Sequence, residues 1–172
     1  MPHETLTRSA LEDLYLRLER PLFNVVYRWV WDREEAQELV QETFLRLWGM
    51  RERIRIETVE SLAYRIGQNL AANRRRSRKL WQWVNLGAIR DRSIRDAGPD
   101  ELVGRNEVSL IVKDAIDALP DRLRRVILLC EYSEMSYQEI ALVLRVPVGT
   151  VGSRRNAALK RLRATLGPLL GE

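Results

Sequence analysis

Cysteine and histidine are nearly absent from this chain of 172 residues, where Cys130 and His3 stand alone. One cysteine excludes an internal disulfide, and the two together cannot assemble a Cys/His zinc site. No glycine-rich loop cradles a phosphate, so the usual nucleophile, base and phosphate arrangements of enzymes lack their parts. No apolar run approaches the roughly 18 residues that a membrane span requires. The opening MPHETLTRSALEDL lacks a basic start followed by an apolar stretch, so no secretory leader is expected and the chain is expected to stay in the cytoplasm without membrane insertion. Glycine is sparse at nine residues, and with 31% charged side chains this favours many solvent-washed helices over a large sheet. Cys130 follows Val126, Ile127, Leu128 and Leu129 and reads as core filler.

What the chain does have is charge, and it is segregated. Residues 65 to 79 hold six basic side chains and no acid, and residues 145 to 163 hold six more, again without an acid. Setting those twelve aside turns the net +5 of the chain into −7 for the remainder. Two basic patches on an acidic body point to two contacts with nucleic acid and a different kind of partner elsewhere.

Apolar residues recurring at three- and four-residue steps predict a helix over Leu11 to Val30, with Pro21 interrupting or restarting it. Asp32 caps a second helix to about Trp48, with Glu34 and Glu35 in its first turn, where the helix dipole explains them without a metal. Its stripe of Ala36, Leu39, Val40, Thr43, Phe44 and Leu47 faces inward, opposite Gln37, Glu38, Gln41, Glu42 and Arg46. A third helix runs from Val59 to about Lys79 and ends in the basic run NRRRSRK. From Leu80 to Glu107 the periodicity fades among Gly87, Gly98, Pro99 and Gly104, which reads as a flexible linker; Trp81 and Trp83 within it are expected to dock on the N-terminal domain or on a partner.

Periodicity returns with a helix over Leu110 to Ala118 and another over Asp121 to Tyr132, with Pro120 at its start. Ser136-Tyr137-Gln138-Glu139 is a capping box. The helix it opens turns Ile140, Ala141 and Leu144 inward, and Arg145 to Gly149 form a short turn before a new helix capped by Thr150. This is helix-turn-helix spacing, with Ala141 small enough for a close crossing and Val151 under the turn. Along the last helix Gly152, Ser153, Asn156, Lys160 and Arg163 face outward, while Val151, Ala158, Leu159 and Leu162 face inward. A helix so placed fits the major groove: Ser153 and Asn156 reach bases, and Arg154, Arg155, Lys160 and Arg163 hold phosphate. The fold class is therefore all-α, two small helical domains joined by a flexible linker, the C-terminal one a helix-turn-helix.

Three blocks, Asp32 to Trp48, Ala63 to Asn69, and Met135 to Ala141 with Val148 to Val151, stand in an order that resembles the two-domain extracytoplasmic function sigma factors of the sigma-70 family. The resemblance implies a region 2 domain over 1–79, a linker over 80–107 and a region 4 domain over 108–172. It implies that Glu38, Leu39, Gln41, Glu42 and Leu45 dock on the clamp helices of core RNA polymerase, with the flap as a further contact. It also implies that Ala63 to Asn69 and the loop Ile54 to Glu60 read the melted minus-ten element. In that role Asn69 would meet the edge of a flipped base, with Ile66 and Gly67 as a wall. Tyr64 stacks or packs, and Arg65, Arg74, Arg75 and Arg76 hold the single strand. Thr150, Ser153, Arg154, Arg155, Asn156 and Lys160 would read the minus-thirty-five element. An anti-sigma factor is an implied partner, and no cofactor, metal or catalysis is expected.

The chain departs from the family's pattern in places. Leu62-Ala63 replaces a common tryptophan-leucine pair, and the loop before it is short and lacks the usual aromatic, features that resemble the iron-starvation branch. Gly152 and Ala157 stand where a basic residue is common, and Arg155 where an aliphatic one is usual. The competing reading is a stand-alone helix-turn-helix regulator whose N-terminal region dimerises or senses.

Overall fold

The computed structural model describes residues 5–85 and 106–170, and these form helices and short turns without a strand. In the N-terminal domain α1 (Arg8–Val30), α2 (Arg33–Gly49) and α3 (Val59–Val84) pack pairwise around one core. Thr7 caps α1 by accepting the amide of Ala10, so the helix begins at Arg8, three residues ahead of the start at Leu11 that periodicity marks. The helix continues through Pro21, which only forfeits the bond to the Arg17 carbonyl. Trp31, in the left-handed conformation with φ 55°, stops it. Asp32 then accepts the Glu35 amide at 2.8 Å and starts α2 as expected.

The core holds Leu14, Leu18, Leu22, Val25, Val26 and Trp29 from α1, the predicted stripe of α2, and Ala63, Tyr64, Leu70 and Ala71 from α3. At Gly67 α3 packs tightly on α1: a Cβ there would lie 2.9 Å from Leu22 Cδ1. Two short 3₁₀ turns, Arg51–Arg53 and Ile56–Thr58, carry the connection into α3, with Ile54 and Val59 turned into the core.

Two expectations need correction here. The third helix does not stop at about Lys79 but runs to Val84, because nothing in RKLWQWV breaks a helix even though its apolar side chains have no core to meet. Consequently Trp81 and Trp83 stand 69% and 77% exposed and do not dock on the N-terminal domain. The glycines and Pro99 of the expected linker lie outside the described residues.

The C-terminal domain comprises α4 (Asn106–Asp117), α5 (Asp121–Tyr132), α6 (Tyr137–Leu144) and α7 (Val148–Leu170). Arg124, 1% exposed, ties the first two together by donating to the carbonyls of Ile116 and Asp117 at the end of α4 and of Leu119 just beyond it. Burial, with Arg75 nearby, pulls its guanidinium down to about 10. Cys130 is half-buried against this core. The two domains share a face in which α1 meets α5 and α3 meets α6.

Candidate nucleic-acid interface

The capping box forms as predicted: the Ser136 hydroxyl accepts the Glu139 amide, and the Glu139 carboxylate accepts the Ser136 amide at 2.7 Å. That bond holds the Glu139 carboxyl below its ordinary value. Ile140, Ala141 and Val143 fill the core, and Leu144 is half-buried. Arg145 ends α6 in the left-handed conformation with φ 54°, its amide bonding back to the Ala141 carbonyl.

The turn is shorter than expected. Pro147, whose fixed φ and missing amide suit the approach to a helix, is followed directly by α7 at Val148. Thr150 therefore lies inside the first turn, its amide donating to the Pro147 carbonyl at 2.9 Å, and does not cap the helix. Val151 is fully buried under the turn. Ser153, Asn156, Lys160 and Arg163 form one exposed face, while Arg154 and Arg155 are half-buried. The Ser153 hydroxyl donates to the Thr150 carbonyl at 3.2 Å. Gly152 is not required by packing, since a Cβ there would meet Tyr137 at an ordinary 3.7 Å. Arg155 donates both Nε and Nη2 to the Glu131 carboxylate, at 3.1 and 2.9 Å.

On α2 the acidic face is open. Glu38 and Gln41 are exposed, Leu45 is 70% exposed, and Glu42 pairs with Arg46 one turn on. Leu39 is 1% exposed and belongs to the core beneath that face.

The Ala63 to Asn69 block lies under the C-terminal domain. Tyr64 is fully buried and its hydroxyl donates to the Ser133 carbonyl at 3.3 Å; burial, then Glu60, pushes the phenol up. Arg65 donates to the carbonyls of Leu142 and Val143 at 2.8 and 2.9 Å, closing the C-terminal end of α6. Gln68, unmarked in the sequence, is buried and donates to the Arg125 carbonyl, while the exposed Asn69 accepts from the Arg125 guanidinium at 2.9 Å. Ile66 is half-buried and Gly67 buried.

The basic run is divided. Arg74 and Arg78 both reach Glu35 on α2, Arg75 donates to the Asp117 carbonyl at 3.0 Å, and Arg76 bonds Asn73. Around these, Trp31 donates to Asp117, Arg28 lies 3.5 Å over the Tyr132 ring, and Arg124 and Arg125 lie over Trp29. The structure thus gathers Tyr64, Arg65, Asn69 and Arg75 at the domain boundary, keeps Gly67 and Arg74 within the N-terminal domain, and leaves Glu38, Gln41 and Leu45 on α2 and Ser153, Asn156 and Lys160 on α7 facing outward.

Residues 14–80 match the family described as Sigma-70 region 2, and residues 109–162 match Sigma-70, region 4. The RNA polymerase sigma-H factor of Pseudomonas aeruginosa is 30% identical over 96% of this chain and 90% of its own length. The ECF RNA polymerase sigma factor SigW of Bacillus subtilis is 29% identical over 94% and 91%. Among solved structures, the sigma factor RpoE of Bartonella quintana, in complex with the anti-sigma factor NepR, superimposes with a TM-score of 0.69 at 21% identity, covering 94% of this chain and 98% of that one. CnrH, in complex with the cytosolic domain of CnrY, gives the same TM-score at 20% identity over 94% and 90%. The arrangement of helices is therefore that of the solved sigma factor RpoE and of CnrH, and the chain belongs to the extracytoplasmic function group of the sigma-70 family, factors that direct promoter-specific initiation of transcription.

Proposed function

We propose that the chain divides its work among three surfaces: α2 docks on core RNA polymerase, α7 reads the minus-thirty-five element, and the Ala63 to Asn69 block reads the melted minus-ten strand. The observation that carries this is the charge separation on the folded molecule. Glu38, Gln41 and Leu45 present an acidic and apolar face suited to a protein, and Ser153, Asn156, Lys160 and Arg163 present a polar and cationic face suited to a groove. Domain boundaries near 1–79, 80–107 and 108–172 follow from the same division. The chain contributes binding alone, and the chemistry of RNA synthesis belongs to the polymerase. Its place is the cytoplasm, where the polymerase works.

The minus-ten block engages the C-terminal domain through Tyr64, Arg65, Gln68 and Asn69, with Arg75 joining them from the basic run that follows. In this reading the two domains part before that block meets DNA, and core polymerase supplies the binding energy for parting them. An anti-sigma factor, the class of partner held by the solved RpoE of Bartonella quintana, would act by keeping them together. Leu62-Ala63 and the short preceding loop support placement in the iron-starvation branch.

Reconstitution tests the reading. Gel filtration with core polymerase should give a stable stoichiometric complex, and that complex should yield run-off transcripts only from promoter templates. Tight binding of a palindromic operator by the chain alone, with no polymerase complex, would establish the stand-alone regulator instead.

A further inference from the structure

Val151, Arg155, Ala158 and Leu162 follow one another along α7 at steps of four, three and four, which is one face of a helix turning every 3.6 residues. Val151 and Ala158 are fully buried and Leu162 is half-buried, so this is the face α7 lays on the rest of its domain. Arg155 is the one charged member of that stripe. Ser153, Asn156, Lys160 and Arg163, spaced by three, four and three, form a different and exposed face. The guanidinium lies across the seam between α7 and α5, both nitrogens on Glu131.

We propose that Arg155 is a positioning residue, not a phosphate contact: its pair with Glu131 sets the rotation of α7 on α5 and so aims Ser153 and Asn156. Two further observations support this. The Glu131 hydrogen bond holds the guanidinium above its ordinary value, with Tyr137 on α6 contributing. The Cys130 thiol on α5 is pushed up by burial and drawn down by the Arg155 charge, in keeping with the place of that charge beside α5. An aliphatic side chain would brace the seam by packing; here an ion pair does so. The pair is partly exposed, with side chains 32% and 41% accessible, which limits the effect of breaking it to roughly twofold to fivefold.

The inference rests on α7 being the DNA-reading helix, and the experiment separates the two. The full chain bound to core polymerase is titrated with a promoter duplex selected by that holoenzyme from a random library. Salt dependence of binding and preference among single-base changes in the upstream element are both read. Arg155→Leu should leave the salt slope unchanged; a slope shallower by about 0.9 would mark a lost phosphate contact and overturn the proposal. Arg155→Glu should blunt base preference by roughly twofold to fivefold, and adding Glu131→Arg should restore it. Failure of that charge exchange to restore preference would equally overturn it. Lys160→Ala and Asn156→Ala are the controls: if neither alters slope or preference, α7 does not read DNA and both readings fall together.

Discussion

At the scale of single residues, glycine at 67 is demanded by a close crossing. A Cβ there would meet Leu22 at 2.9 Å and Thr43 and Val26 at 3.4 Å, and all three neighbours are themselves fully buried. Valine gains little helix propensity over glycine, and its added volume has nowhere to go. Gly67→Val should therefore cost about 2 kcal/mol, read as a fall of roughly 4 to 8 °C in the thermal midpoint. An unchanged midpoint would mean that the crossing relaxes. The sequence marks Gly67 as part of a motif, yet only the packed helices supply the reason for it. Arg155 is the opposite case: its place on the inward stripe is readable from spacing alone once Val151, Ala158 and Leu162 are aligned, and a basic side chain beside other basic side chains conceals it.

Helix starts were legible where a capping residue precedes acidic residues of the first turn, but not at Thr7, which caps α1 ahead of the apolar pattern, nor at Thr150, which lies inside α7. Asp32 before Glu34 and Glu35, and Ser136 three residues before Glu139, each place a donor and an acceptor within one turn, so sequence suffices to start α2 and α6. The end of α3 was not legible, because apolar periodicity stops where the core stops while the helix goes on to Val84. On α2 the stripe assigned to the core and the face left outside both hold, and that face carries a prediction of its own. Glu38→Arg with Glu42→Arg should lower affinity for core polymerase at least tenfold while leaving helical content unchanged. Removing Glu42 also breaks its pair with Arg46, but an exposed pair one turn apart contributes only about 0.3 to 0.5 kcal/mol. A core affinity within twofold of wild type, measured by competition against another sigma factor, would remove α2 from the docking surface.

Across the whole molecule, the domain contact was the least legible feature. Much of it is made by long side chains reaching backbone carbonyls, as Arg65 reaches Leu142 and Val143 and Gln68 reaches Arg125. A carbonyl has no residue identity, so no pattern in the sequence announces its partner. The contact gives the block two engagements: Asn69 bonds Arg125 within the chain and, in the proposed reading, a flipped base in the open promoter. Substituting either partner breaks the same intramolecular bond, and only one of the two would remove a DNA contact. The deciding measurement is permanganate reactivity of melted thymines in promoter complexes formed by core polymerase with Asn69→Ala or Arg125→Ala. The account predicts that both variants bind core polymerase normally, that Asn69→Ala loses most of the reactivity, and that Arg125→Ala retains it. Equal loss in both variants, or failure of Asn69→Ala to join core polymerase, would contradict it.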